Sequence, residues 1–397
     1  MKTAVWLYLF LFVAFFDLHA QYPILTPFAI SLGAAPSFIG LMMGLYSITH
    51  LPGNLIAGYG VDRYGSRLFI VFSLLTAGAV LIVQSHVTNP WQLLVLRSVS
   101  GFVLAFLSPA CMTLLARITT DRVRQGKLMA GNGFIHTLAS VVSPAAGAYL
   151  VAQIGFTAAF YALGWILIAT AVCALFFIRD IAPATADASA SSAAPAESAS
   201  DPAAKPSDSG GKLRREAGIP WTVFLLPVAT SCAQGILSFE LPLMGQTPDA
   251  MMTTGLLFSI VSLGALLTLS MLFLNRLSPY YRTLWGTLLL AVCYYTIAAD
   301  FPVPLMAVLF IIGMGKGVIF PALSSLLIEL SGGKRYGRTF SALSIAFSVG
   351  AFIGPMLAGH LREQISSYFI AFAVLMLAAA ILPLCVGRSI SARTHIS

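Results

Sequence analysis

The chain has 397 residues, of which 58% are hydrophobic and only 9% charged, with a mean hydropathy of +0.89. A soluble domain carries about a quarter charged residues, so this chain cannot clothe itself in a water-compatible surface. That excludes a cytosolic enzyme, a disulfide-built secreted scaffold and a nucleic-acid-binding module. The net charge of +8 and the pI near 9.4 are then explained by basic loops on the cytoplasmic side of a membrane.

Apolar runs of the length needed to cross about 30 Å of hydrocarbon recur twelve times: 4–32, 36–58, 68–86, 91–116, 127–152, 156–178, 220–246, 250–274, 283–299, 303–330, 339–361 and 366–387. The first begins like a signal peptide, with Lys2 and a small-residue "LHAQ". Its apolar pattern continues past Asp17 to about Ile30, too long for a signal sequence, so it is read as a span. Between the sixth and seventh spans, residues 179–219 are rich in Ala, Ser, Pro and Asp. This stretch has no apolar periodicity and reads as a disordered cytoplasmic linker. It separates an N-terminal bundle (1–178) from a C-terminal bundle (220–387), with a cytoplasmic tail at 388–397.

Charge fixes the expected direction. With the N-terminus cytoplasmic, 19 of the 22 basic residues fall on the inside and only Arg362 outside, leaving Arg97 and Lys316 within spans. Removing any single span would scatter this set across both faces, so the asymmetry supports the span count as well as cytoplasmic termini. The five cysteines (Cys111, Cys173, Cys232, Cys293 and Cys385) all fall in apolar runs without a CxxC pair. They read as small buried hydrophobes.

The two bundles repeat each other. At an offset of 211, Gly126 matches Gly337, Lys127 matches Arg338 and Pro144 matches Pro355. Two six-span units entering the membrane in the same direction imply a pseudo-two-fold axis along its normal, with a pocket between them near mid-membrane.

The loop after the second span, "GYGVDRYGSR", resembles a signature of the major facilitator superfamily, G-x-x-x-D-R-x-G-[R]-[RK]. Gly58, Asp62, Arg63, Gly65 and Arg67 are in place, and Ser66 departs where a basic residue is usual. The resemblance runs over essentially the whole chain. It implies an all-α membrane protein with twelve helices in two pseudo-symmetric six-helix bundles, working by alternating access. In the family the aspartate faces the start of helix eleven, here about Arg338–Ser341, and locks the outward-open state. The equivalent loop of the second half, "FLNRLSPYYR", has Asn275 at the aspartate's place, so the lock is expected on one side only.

Span four, "LLVLRSVSGF", resembles the family's l-x-x-x-R-x-x-q-G motif, with Arg97 and Gly101 in place and Ser100 for Gln. At 1.5 Å per residue Asp17 lies about 20 Å from the inner face and Arg97 about 21 Å from it. Equal depth on neighbouring helices predicts an Asp17–Arg97 pair, direct or through water. Span five, "ASVVSPAAGA", resembles the antiporter motif g-x-x-x-G-P-x-x-G-G. Ser143 stands for a glycine and Pro144 and Gly147 are kept, while Ala139 and Ala148 also replace glycines. Its repeat in span eleven keeps Gly350, Gly354, Pro355 and Gly359. Small residues let helices approach closely, and in the family the span-five motif accompanies export.

Other polar groups within spans are Glu240, about 29 Å up span seven, and Lys316, near mid-membrane in span ten. Both are candidates for proton coupling or substrate binding, alongside Asp17 and Arg97. His19, His50 and His136 are read as packed polar residues. Tyr22, Tyr46, Gln21, Asn132 and Gln234 are candidates to line the cavity, and Trp91 and Trp221 are interface anchors.

There is no G-x-x-x-x-G-K-[ST] loop and no H-E-x-x-H site. The expectation is therefore no enzyme activity, no metal and no cofactor, with the proton as coupling ion. The expected function is antiport export of a small organic molecule or drug from the inner membrane, by a monomer that binds no nucleic acid. A metallophore or siderophore exporter and a sugar transporter are the alternatives. From another class, a non-transporting membrane sensor or assembly factor on the same scaffold also stands.

Overall fold

The computed structural model describes residues 2–119, 121–178, 221–245, 247–271, 273–274, 277–330 and 336–394. Among them there are helices, turns and connecting loops, and no strands. The helices are α1 (Lys2–Ala20), α2 (Tyr22–Ser31), α3 (Pro36–Tyr64), α4 (Ser66–Gln84), α5 (Pro90–Leu104), α6 (Leu107–Arg117) and α7 (Arg122–Phe177) in the first half. The second half has α8 (Leu225–Glu240), flanked by 3-10 turns Trp221–Phe224 and Leu241–Met244, then α9 (Pro248–Ser270), α10 (Pro279–Ala298), α11 (Leu305–Leu330), α12 (Tyr336–Leu361) and α13 (Ser367–Thr394). The linker 179–219 lies outside the described residues. α13 runs on through the stretch expected to be a tail.

Each departure from the expected spans has a local cause. The first span is two helices meeting at Gln21, because Pro23 has no N–H to offer the carbonyl of His19. The fourth is α5 and α6, parted just before Pro109, which denies a donor to the carbonyl of Ala105 in the same way. Spans five and six form the single α7, turned back at Gly155 with φ 77°. Gly65 closes the turn between α3 and α4 with φ 89°, a backbone region open to glycine and strained for other residues. Several starts are set by proline in the first turn, with Asn89 accepting from the Trp91 N–H at 2.9 Å and Thr247 from the Ala250 N–H at 3.2 Å.

In most spans fewer than half the residues of the most apolar stretch are buried inside the protein. Large apolar side chains such as Val5, Leu68, Trp165, Phe176 and Trp285 point outward, as a bilayer-facing surface requires. Trp91 and Trp221 are exposed near helix starts. Cys111, Cys232 and Cys293 are buried thiols and Cys173 is half-buried, all free; the side chain of Cys385 lies outside the described residues.

The two halves meet along α3 against α12 and α7 against α9. These seams are closed at the end carrying the loops 32–35 and 299–304, here the far end. A methyl on Gly359 would stand 2.6 Å from the Pro36 carbonyl oxygen, and one on Gly255 2.6 Å from that of Pro144. Gly40 lies directly on the Pro355 carbonyl and Gly44 on Phe352. Toward the end that holds the N-terminus and the Gly65 turn, the same stripes separate. There Leu55 and Tyr59 of α3 and Ser341 and Ile345 of α12 are exposed. The space between the halves therefore opens to the terminal end.

Candidate functional site

The break between α1 and α2 places a polar cluster on the wall of that space. Asp17 and Gln21 are one turn apart and both buried. The Gln21 amide donates to Asp17 Oδ1 at 2.9 Å and accepts from the Arg97 guanidinium at 2.6 Å. Asp17 and Arg97, expected to pair directly or through water, are instead joined through the Gln21 side-chain amide. Arg97 also lies over the Tyr46 ring at 4.6 Å from its centre, a cation–π contact. Gly101 makes this approach possible, since a methyl there would stand 2.5 Å from the Tyr46 carbonyl oxygen. Hydrogen bonds to charged groups are worth about 1.5–3 kcal/mol each, and losing either partner would strand a buried charge.

A second cluster stands nearby. The His19 ring bonds the Phe15 carbonyl through Nδ1 at 2.7 Å. Its ring centre is 5.2 Å from that of His136 on α7, which packs edge-on against Phe15 at 4.6 Å. Lys316 lies on α11, in the other half. Lys316 is half-buried and makes no hydrogen bond or ion pair among the described residues. A lone ammonium at mid-span costs about 2.5–3.5 kcal/mol on insertion scales. Tyr22 faces the opposite half through Phe258, 5.9 Å away.

The remaining candidates sort by position. Glu240 is not in the cavity cluster: it is clamped at the far end, accepting from Ser367 at 2.6 Å and pairing with Arg362 at 3.4 Å. His50 is satisfied by Asn54 at 2.9 Å. In the loop motif, Arg63 donates to Tyr59 at 3.0 Å and Arg67 to the Leu175 carbonyl. The side chains of Asp62 and Arg338 and the surroundings of Gly58 lie outside what is described, as do Asn275 and Arg276. In the span-five motif, Ser143 donates to the Ala139 carbonyl and Gly147 packs against Ala20. In its repeat, Gly350 and Gly354 lie on the backbone of α8, and Pro355 touches both α3 and α8. Among the described residues no group of three or more His, Cys, Asp or Glu could hold a metal ion.

Two helical halves around a space open at one end, with buried charges on its wall, define a membrane carrier that moves solutes. The chain belongs to the Major Facilitator Superfamily, whose model matches residues 7–298 and 283–393. It is similar to the multi-drug resistance efflux pump PmrA homolog of Lactococcus lactis subsp. lactis, 22% identical over 87% of this chain and 84% of that one. It is also similar to the multidrug resistance protein MdtG of Dickeya zeae, 27% identical over 81% of this chain and 77% of that one. MdtG of Escherichia coli is 24% identical over 90% of this chain and 87% of its own. The fold matches a bacterial homolog of the human lysosomal transporter Spinster in its inward-facing, unoccupied conformation. That match has a TM-score of 0.75 and 16% identity, covering 98% of this chain and 96% of that one. The protein is a multi-pass membrane transporter that takes a small-molecule substrate, and it is not an enzyme.

Proposed function

We propose that the chain is a proton-driven exporter of a small organic molecule, with Asp17 as the proton carrier. Its membrane would be the inner membrane, with both termini cytoplasmic, as the basic-residue asymmetry favours. The open space then faces the cytoplasm, the side from which an exporter loads. Relatives named as efflux pumps support the direction. The observation that carries the reading is the Asp17–Gln21–Arg97 bridge. Protonating Asp17 removes the charge that holds Arg97 through the amide, and a substrate engaging Gln21 or Arg97 breaks the same bridge. Each ligand does what the other does, so the two exchange across the membrane. Alternating access follows because the bridge differs in strength between the two loaded forms. The proton is the only coupling ion the reading needs, and a monomer suffices.

The test is proton flux in proteoliposomes under an imposed pH gradient, with aromatic cations, neutral compounds and anions as candidate substrates. The wild type should show solute-dependent proton movement, and Asp17→Asn should lose it. If Asp17→Asn moves solute and protons like the wild type, Asp17 is not the carrier. If no compound elicits proton movement from the wild type, the exporter reading falls.

A further inference from the structure

We propose that the Nε–Nη2 edge of Arg97 receives a neutral carbonyl oxygen of the transported molecule, so that the substrate is an uncharged carbonyl compound, neither a lipophilic cation nor an organic anion. This names the substrate class of the transporter proposed above and rests on that reading for the direction of transport.

A guanidinium presents its N–H donors in one plane, as forks that fit oxygen acceptors. Arg97 commits Nη1 to the Gln21 amide oxygen at 2.6 Å, and one face to the Tyr46 ring, whose centre is 4.6 Å away. The fork formed by Nε and Nη2 is left open. Nε is buried without a partner, and Nη2 has none among the described residues. Arg97 is 4% exposed, so bulk water does not satisfy the fork. A buried donor left empty keeps the cost of its lost hydration, and the cost is larger on a charged group.

The neighbours hold this fork in one place. Gln21 cannot turn its amide round, because its NH2 is held by Asp17 Oδ1 at 2.9 Å. Gly101, one turn along α5, lets α3 come close enough for Tyr46 to lie against the guanidinium. Tyr46 is half-buried, so the space between the halves reaches the cluster at its ring. The residue after Gln21 is Tyr22, also half-buried, and its ring meets Phe258 of the other half at 5.9 Å. A flat molecule with its oxygen at the fork and its body along Tyr22 touches both halves. Its affinity then depends on how the halves stand, which is what a ligand needs to shift their equilibrium.

Charge decides which oxygen fits. Asp17 balances Arg97 through Gln21, while Glu240 is held at the far end by Ser367 and Arg362. With Asp17 ionised the cluster is neutral. A carboxylate would bring in an unbalanced buried anion, and an ammonium would face the guanidinium; both are costly away from water. A carbonyl oxygen has two lone pairs, accepts from both N–H groups and adds no charge. Protonating Asp17 frees the amide and leaves Arg97 positive, so the fork is no longer fixed and the site comes to favour an anion. The neutral molecule therefore binds best when Asp17 is deprotonated, and this is the competition that antiport requires.

The test is equilibrium dialysis against purified protein in phosphatidylcholine nanodiscs at mildly alkaline pH, without any gradient and with empty nanodiscs subtracted. The probes share one ring system: acetylnaphthalene, ethylnaphthalene, naphthoate and naphthylmethylammonium. Wild type should bind acetylnaphthalene about tenfold more tightly than ethylnaphthalene, and more tightly than either ion. That ratio is read within one sample, so partial misfolding of a variant does not mimic its loss. Arg97→Lys keeps the charge and a donor for Gln21 but has no fork, and its ratio should fall to about one. Asp17→Asn should reverse the order, binding naphthoate more tightly than acetylnaphthalene, which a merely structural role for Asp17 would not do. The proposal is overturned if the wild-type ratio is about one, in which case the fork holds only water. It is equally overturned if wild type prefers either ion, if Arg97→Lys keeps the wild-type ratio, if Asp17→Asn keeps the wild-type order, or if no probe binds. Arg97-dependent carbonyl binding without solute-dependent proton flux would sink the proton-driven reading and leave this site standing. Proton flux elicited only by ions would do the reverse.

Discussion

The central helices of the two halves, α5 and α11, were built to the same plan and then charged differently. Gly313 and Pro321 stand eight residues apart, as Gly101 and Pro109 do. Both glycines lie against a neighbouring backbone, Gly101 on Tyr46 and Gly313 on Val261. One turn before the glycine, however, α5 carries Arg97 and α11 carries the fully buried Leu309. The cation of α11 is Lys316, which stands where α5 has Leu104. Backbone contact rules survive the repeat because a methyl at either glycine would collide with main chain. Charge is free to move, since each half must settle its own electrostatics. The first half settles Arg97 internally, through Gln21. The second leaves Lys316 half-buried, with no hydrogen bond or ion pair among the described residues.

Removing the amide is the largest way to break that contrast. Gln21→Leu keeps the volume but strips Asp17 of its donor and Arg97 of its acceptor. Each buried group left unsatisfied costs about 1–3 kcal/mol, more for a charge. The variant should unfold at markedly lower temperature in detergent and show proton flux that no longer responds to solute. If stability and coupling both match the wild type, Asp17 and Arg97 meet directly when the amide is gone, and Gln21 is only a spacer.

The proline-containing helices sharpen the comparison at a smaller scale. In α12, Gly350 and Gly354 lie on the main chain of α8, and Gly359 on that of α3. In α7 the corresponding motif has Ala139, Ser143 and Ala148. The two alanines are fully buried, and Ala148 packs its methyl toward Gly255 of α9. At Ala148 the motif is eroded where the neighbour is a glycine, and in α12 it is kept where the neighbour is backbone. Gly354→Ala should therefore cost about 1–3 kcal/mol by overpacking. Ala148→Gly should cost about 0.5–1 kcal/mol, mostly backbone entropy. Denaturation of the two variants side by side checks the ordering; equal losses would mean that α12 yields as readily as α7.

The sequence carried the architecture well, because span length, basic loops and small-residue motifs are local properties. That Asp17 and Arg97 belong to one neighbourhood was also legible, by counting along two helices, and the structure links them through Gln21. Gln21 was legible only as a cavity-lining candidate. Its i+4 spacing from Asp17 puts the two on one face, but its role as a bridge depends on where α5 sits. The partners of Glu240 are 127 residues away at Ser367 and across a loop at Arg362, and no local pattern connects them. The packing of His19 against His136 joins α1 to α7 and depends on how these helices meet, which no local pattern encodes. Breaks at Pro23 and Pro109 were written in the chain, but a continuous apolar run hides them.

Glu240 offers the smallest and most discriminating contrast with Asp17. Both are buried acids near an arginine, so a sequence reading gives them the same candidacy. The Arg362 side chain is 39% exposed and the Glu240 side chain 10%, so water already shares in the charge of this pair. Exposed ion pairs contribute about 0–1 kcal/mol. Glu240→Gln keeps a carbonyl oxygen for the Ser367 hydroxyl and leaves Arg362 to solvent. Its expected effect is a stability loss within about 1 kcal/mol and proton flux per solute equal to the wild type. Asp17→Asn, by contrast, removes the titrating group from a site that water does not reach while the bridge is closed. A Glu240→Gln protein that folds normally but moves solute without protons would show that the far-end clamp takes part in coupling. Proton release would then have to be assigned to the second half of the molecule instead of the first.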